Sequence, residues 1–152
     1  MTDHSTARDA QRRLDEVQAT LVGPGRDARR RKRAMKEFES ALNDLVDTLV
    51  TAPGARDAAK VRNLIATACR IAATHAAAVS SHSEPWPRDV VDCWRMFETM
   101  ETAASVLPPE ERGPLQQAVE VLRPLSGEPL RKALRSAGVP PEKIDEVLDL
   151  LR

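Results

Sequence analysis

An all-α fold follows from three features of the chain. Apolar residues recur at alternating three- and four-residue steps, proline and glycine gather in clusters between such segments, and no segment alternates at period two for long enough to make a strand. The pattern predicts a four-helix, bundle-like core over residues 1–107, followed by three short helices over 108–152 that pack on the core or on a partner. The breaks are Gly23-Pro24-Gly25, Pro53-Gly54, Pro85 with Pro87, Pro108-Pro109, Gly113-Pro114, Pro124, Gly127 with Pro129, and Gly138 with Pro140-Pro141.

The first segment, about Ser5 to Val22, carries Ala7, Ala10, Leu14, Val17 and Leu21 on one helical face. The second starts near the cap residue Asp27 and ends before Pro53, with Met35, Phe38, Leu42, Leu45 and Leu49 inward and Lys36, Glu37, Asn43, Asp44 and Asp47 outward. A third follows Gly54, with Asp57 near its first turn and Val61, Leu64, Ile65, Ala68, Ile71, Ala72, His75 and Val79 as its stripe. Its alanines, Ala66, Ala68, Ala72, Ala73, Ala76, Ala77 and Ala78, allow close helix approach. A fourth opens around Pro87, a favoured first-turn position, and turns Val90, Val91, Trp94, Phe97, Met100 and Ala104 inward. Both tryptophans and one phenylalanine fall here, which makes it the aromatic anchor. The short helices are expected at about 113–123, 128–137 and 141–151, with stripes Leu115, Val119 and Leu122, then Leu130 and Leu134, then Ile144, Val147, Leu148 and Leu151.

At 152 residues and 41% apolar composition the chain is long and apolar enough to bury a core. With no Tyr, two Phe and two Trp, that core must be aliphatic. Lys plus Arg and Asp plus Glu number 23 each, so electrostatics rest on placement and not on net charge. Two cysteines, Cys69 and Cys93, lack the spacing of a disulfide framework and point to a reducing compartment. The start, Met1-Thr2-Asp3-His4, lacks the apolar core of a secretion signal, and no apolar run approaches the ~20 residues of a membrane span. The expectation is a cytoplasmic protein with no membrane segment.

The strongest local signal is a basic cluster at the start of the second helix: Arg26, Arg29, Arg30, Arg31, Lys32, Arg33 and Lys36 against Asp27. A helix N-terminus is already positive and ordinarily attracts acidic residues. Something must offset the repulsion: salt and solvent, acidic residues of neighbouring helices such as Asp9, Asp15 and Glu16, or an external polyanion. Nucleic acid would be held by its phosphates, because no aromatic residues interleave with the basic ones for base stacking.

Residues 130–148 have the rhythm of helix, glycine turn and helix, with Gly138 at the turn. Leu134 stands where close helix approach wants a small residue, and the second helix offers Glu142, Asp145, Glu146 and Asp149, which repel DNA. A helical hairpin, with Ile144, Val147, Leu148 and Leu151 as a partner-docking surface, fits better than a DNA reader.

Catalytic signatures are absent: there is no phosphate loop, nucleophile elbow, His-Glu-x-x-His or Cys-x-x-Cys. Cys69, His75, His82 and Cys93 lie in one region, but His75 and His82 would stand about 10 Å apart along a helix, too far to share an ion. A hydrogen-bonded buried histidine and two inert thiols are expected, with no metal, cofactor or catalysis. The leading expectation is a non-catalytic helical interaction or adaptor subunit of an intracellular assembly, binding a protein or itself through apolar stripes that the bundle does not consume. The alternative is an accessory protein that binds nucleic-acid backbone through the basic cluster at 26–36.

Overall fold

The three-four spacing of apolar residues yields seven α-helices and no strand among the described residues of the computed structural model, which are 3–22, 28–52, 54, 58–81, 87–123 and 127–150. They are α1 (Asp3–Val22), α2 (Ala28–Thr51), α3 (Ala58–Ser80), α4 (Pro87–Ala104), α5 (Gly113–Leu122), α6 (Glu128–Ser136) and α7 (Pro141–Leu150), with a 3-10 turn at Pro109–Glu111 between α4 and α5. The fold is all-α, and each expected segment is found within a few residues of its expected ends. The expected caps Asp27 and Asp57, and the first tryptophan, Trp86, lie outside the described residues.

α1 packs chiefly on α2, and α3 against α1, α2, α4 and α5, so the four long helices share one interior. Phe38, Leu42 and Leu45 of α2, Leu14 and Val17 of α1, Val61 and Ile65 of α3, and Met96, Phe97 and Met100 of α4 are almost completely buried there. The C-terminal helices extend this core: Ala118, Leu130, Ala133, Leu134 and Ile144 join the same apolar cluster. α5 lies on α3 and α6 lies on α4, which gives these short helices the tertiary support that their length demands.

Two details differ from the sequence reading. α4 touches α2, α3, α5 and α6, so its buried surface wraps well beyond one stripe and takes in Asp92, Cys93, Met96 and Ala103. Neighbours on several sides leave α4 only a narrow polar face, with Arg95, Glu98 and Thr102 exposed. In α3 the alanine run divides, with Ala66, Ala68, Ala72 and Ala76 buried, while Ala77 and Ala78 face solvent.

Polar ties fix the helix pairs. Arg13 of α1, only 11% exposed, places Nε 2.8 Å from Glu37 and a terminal nitrogen 2.8 Å from Asp44, both on α2, and also reaches Asp9 at 3.3 Å. Its planar fork can serve several carboxylates at once, which a lysine ammonium does less well. Arg62 Nε of α3 stands 3.2 Å from Glu111 Oε2, an ion pair that ties α3 to the 3-10 turn. After α4, Arg112 Nε donates to the Leu107 carbonyl at 3.0 Å, satisfying an acceptor left over where the helix has ended.

α6 ends in a glycine-dependent cap. Gly138 has φ 82°, its N–H donates to the Arg135 carbonyl at 3.1 Å, and the Val139 N–H donates to the Leu134 carbonyl at 3.0 Å. This bond pair is the Schellman arrangement, in which the left-handed residue is most easily glycine. Pro140 and Pro141 then open α7, so the expected helix–turn–helix rhythm is real as local structure.

Candidate docking groove

The basic cluster does not form one patch. At about 100° per residue, consecutive arginines at the start of α2 must point around the helix. Arg31 turns inward, where its terminal nitrogen meets Asp89 of α4 at 2.6 Å with both side chains 15% exposed. Asp89 sits in the first turn of α4, where a carboxylate also suits the helix dipole. Arg30 and Arg33 border a shallow recess shared with Glu16 and Thr20 of α1 and with Glu37. Arg29, Lys32 and Lys36 line a different surface, facing α4 and α6. Arg26 lies outside the described residues.

That second surface is a groove of about 720 Å³ between α2, α4 and α6. Half-buried Met35, with the buried side chains of Phe38, Val91 and Ala133, supplies its apolar floor. Exposed Lys32 and Lys36 from α2 and exposed Arg95 from α4 stand at its rims, while Ser136 and Ala137 close it at the end of α6. Two carboxylates, Glu39 and the buried Asp92, also line it. A volume of this size lies within the range of ligand-receiving clefts, and its mixed lining suits something that is apolar on one side and anionic at its edges.

Behind the Arg31–Asp89 pair lies His75 of α3, which is buried. Burial pushes its pKa down to about 4; the nearby Arg31 guanidinium adds to the shift and Asp89 opposes it. The ring is therefore neutral at pH 7. The expected hydrogen-bond partner is missing at one position, since His75 Nε2 and the indole Nε1 of Trp94 have none among the described residues. Both thiols are buried and protonated at neutral pH. Burial raises Cys69 to about 11, and burial with the neighbouring Asp92 and Asp89 carboxylates raises Cys93. Among the described residues no three His, Cys, Asp or Glu side chains gather in a metal-holding cluster; His82 lies outside them.

The C-terminal docking expectation changes at its centre. Ile144 is 3% exposed and belongs to the protein's own core, so it is not presented to a partner. The side chains of Val147 and Leu148, and all of Leu151, lie outside the described residues. The stripes of the long helices are likewise consumed, and Val50 is the one large apolar side chain that is exposed among the described residues. Glu142, Asp145, Glu146 and Asp149 do face solvent on α7, and Asp145 stands 3.7 Å from Arg131 of α6.

Sequence reasoning had no means of placing Arg95, Asp89 and Asp92 beside the basic cluster, or of bringing α6 over α4. Asp89 alone carried a signal, as an acidic residue in a helix's first turn. No helix among the described residues is long and apolar enough to cross a membrane. The chain matches no protein-family model, no curated protein and no solved structure.

Proposed function

We propose that this protein is a non-catalytic α-helical interaction subunit of a larger intracellular assembly, and that the groove between α2, α4 and α6 is its contact surface. The observation that supports this reading is the groove itself. Half-buried Met35 lies on its floor between cationic rims, and no segment of the described chain covers it. The exposed Val50 lies at another recess, with Leu49, Val106, Leu107 and a single cation, Arg62, whereas the groove sets half-buried Met35 among several exposed cations.

Lys32, Lys36 and Arg95 are exposed, so reversing them to Glu changes the rim without touching the core. In lysate of the source cell the wild-type chain should migrate at low salt in a complex well above its own 16.7 kDa that weakens as salt screens the rim, and the triple variant should migrate alone. A variant that stays in the complex like the wild type counts against the groove as the contact surface.

Nucleic-acid binding is the second reading. It draws on the exposure of Arg29, Arg30, Lys32, Arg33 and Lys36 around the start of α2. Its weakness is geometric: Arg31 is engaged with Asp89, and the remaining cations divide between two surfaces, one of which also carries Glu16 and Glu37. A phosphate backbone gains most from a continuous track of cations.

A further inference from the structure

We infer that the occupant of the groove is an acidic amphipathic helix from a partner protein; this inference rests on the docking reading above and names the chemistry of the partner. Length is the first argument. The α2 side of the groove runs from Arg29 to Glu39, which at 1.5 Å per residue is about 15 Å, or nearly three helical turns. A single small anion would leave most of that length empty.

Chemistry is the second argument. A helix laid along the groove presents apolar side chains at i, i+3, i+4 and i+7 to half-buried Met35 and to the little surface that Val91 and Ala133 keep beside it, while residues flanking that stripe come to lie over the rims. The rims carry Lys32 and Lys36 on one side and Arg95 on the other, so carboxylates on both flanks find partners and a basic helix is repelled. Nucleic acid fits this lining poorly. The floor offers no exposed aromatic face for bases, and Lys32 and Lys36 stand across the groove from Arg95 and do not form the continuous track that a phosphate backbone follows. The chain's own acidic helix, α7, is held in cis by Ile144, so a second copy would have to give up part of its core to supply it.

The test is selection from a library of helical peptides displayed on phage, run in parallel against the wild-type protein and the Lys32→Glu/Lys36→Glu/Arg95→Glu variant, each first shown to be folded by circular dichroism. Wild type should enrich peptides with an apolar i, i+3, i+4, i+7 stripe flanked by Asp and Glu, and the charge-reversed variant should enrich the same stripe flanked by Lys and Arg. The acidic peptides, synthesised and labelled, should bind the variant roughly tenfold or more weakly than the wild type. Peptides without flanking carboxylates, the same peptides from both proteins, or no enrichment at all would overturn the inference. So would DNA or RNA oligonucleotides that bind the wild type more tightly than any peptide and lose binding in the variant. The docking reading is judged separately by the assembly experiment, so a retained groove-dependent complex with no acidic peptide selected would discard the helix and keep the groove.

Discussion

Asp89→Asn should destabilise the protein by about 3 kcal/mol, because removing one member of a desolvated ion pair strands the other. Arg31 and Asp89 are each 15% exposed and stand 2.6 Å apart, joining the start of α2 to the start of α4. Asn keeps the shape and can accept a hydrogen bond but carries no charge. The Arg31 guanidinium would then sit beside a neutral His75 with little water to compensate it, and its Nε already lacks a hydrogen-bond partner. The small residual exposure keeps the loss near the lower end of the 3–5 kcal/mol range for breaking buried pairs. Urea denaturation at neutral pH, followed by circular dichroism, measures it. The double variant Arg31→Met/Asp89→Leu should recover most of the loss, since replacing both charges with apolar side chains removes the desolvation penalty on each. A single-variant loss within about 0.5 kcal/mol would mean that the pair is solvated like an ordinary surface bridge.

His75 should make stability fall as the protein is acidified, starting well above the carboxylate range. Burial holds the folded-state pKa at about 4, whereas in the unfolded chain the ring titrates near 6.5. Between these values the unfolded state takes up a proton that the folded state refuses. The His75 contribution is therefore constant above pH 6.5 and declines as pH drops toward about 4, by about 3 kcal/mol across the window. Asp9 acts in a lower window, because the Arg12 hydrogen bond holds its carboxyl below the ordinary range, and its contribution is lost only as pH falls through that lowered value. Urea titrations at closely spaced pH values should show the slope in wild type. In His75→Gln, which places a neutral amide in the same site, the slope between pH 6.5 and about 4.5 should vanish. A wild type as stable at pH 5 as at pH 7.5 would show that the imidazole is solvated enough to charge in place.

The helices were legible because their stripes obey one period and their breaks use the residues that physically end helices. Phe38, Leu42, Leu45 and Leu49 of α2, and Val61, Leu64, Ile65, Ala68, Ile71, Ala72, His75 and Val79 of α3, are buried as the spacing predicts. The groove was only half legible. Lys32 and Lys36 stand in sequence beside Met35, so one rim and part of the floor are written in α2 alone. Arg95, Val91 and Ala133 are brought to it by packing of α4 and α6, which no local pattern encodes. The same limit explains Arg31, which looks like its neighbours in sequence and differs only because Asp89 lies across the helix interface. Ile144 shows the opposite failure. A stripe on a short terminal helix reads equally as core or as docking surface, and only the presence of α6 and the core cluster beside it assigns it to the core.

Site-specific photocrosslinking tests most directly whether the α2/α4/α6 groove meets a protein partner. A photoreactive amino acid is placed at Lys36 or Ser136, exposed at the groove, and for comparison at Asn63 or Arg70, exposed on α3. On irradiation in the source cell, the two groove positions should give one and the same protein adduct, seen as a discrete higher band, and the α3 positions should not. Adducts to nucleic acid from the groove positions, or equal protein adducts from both faces, would contradict docking in the groove.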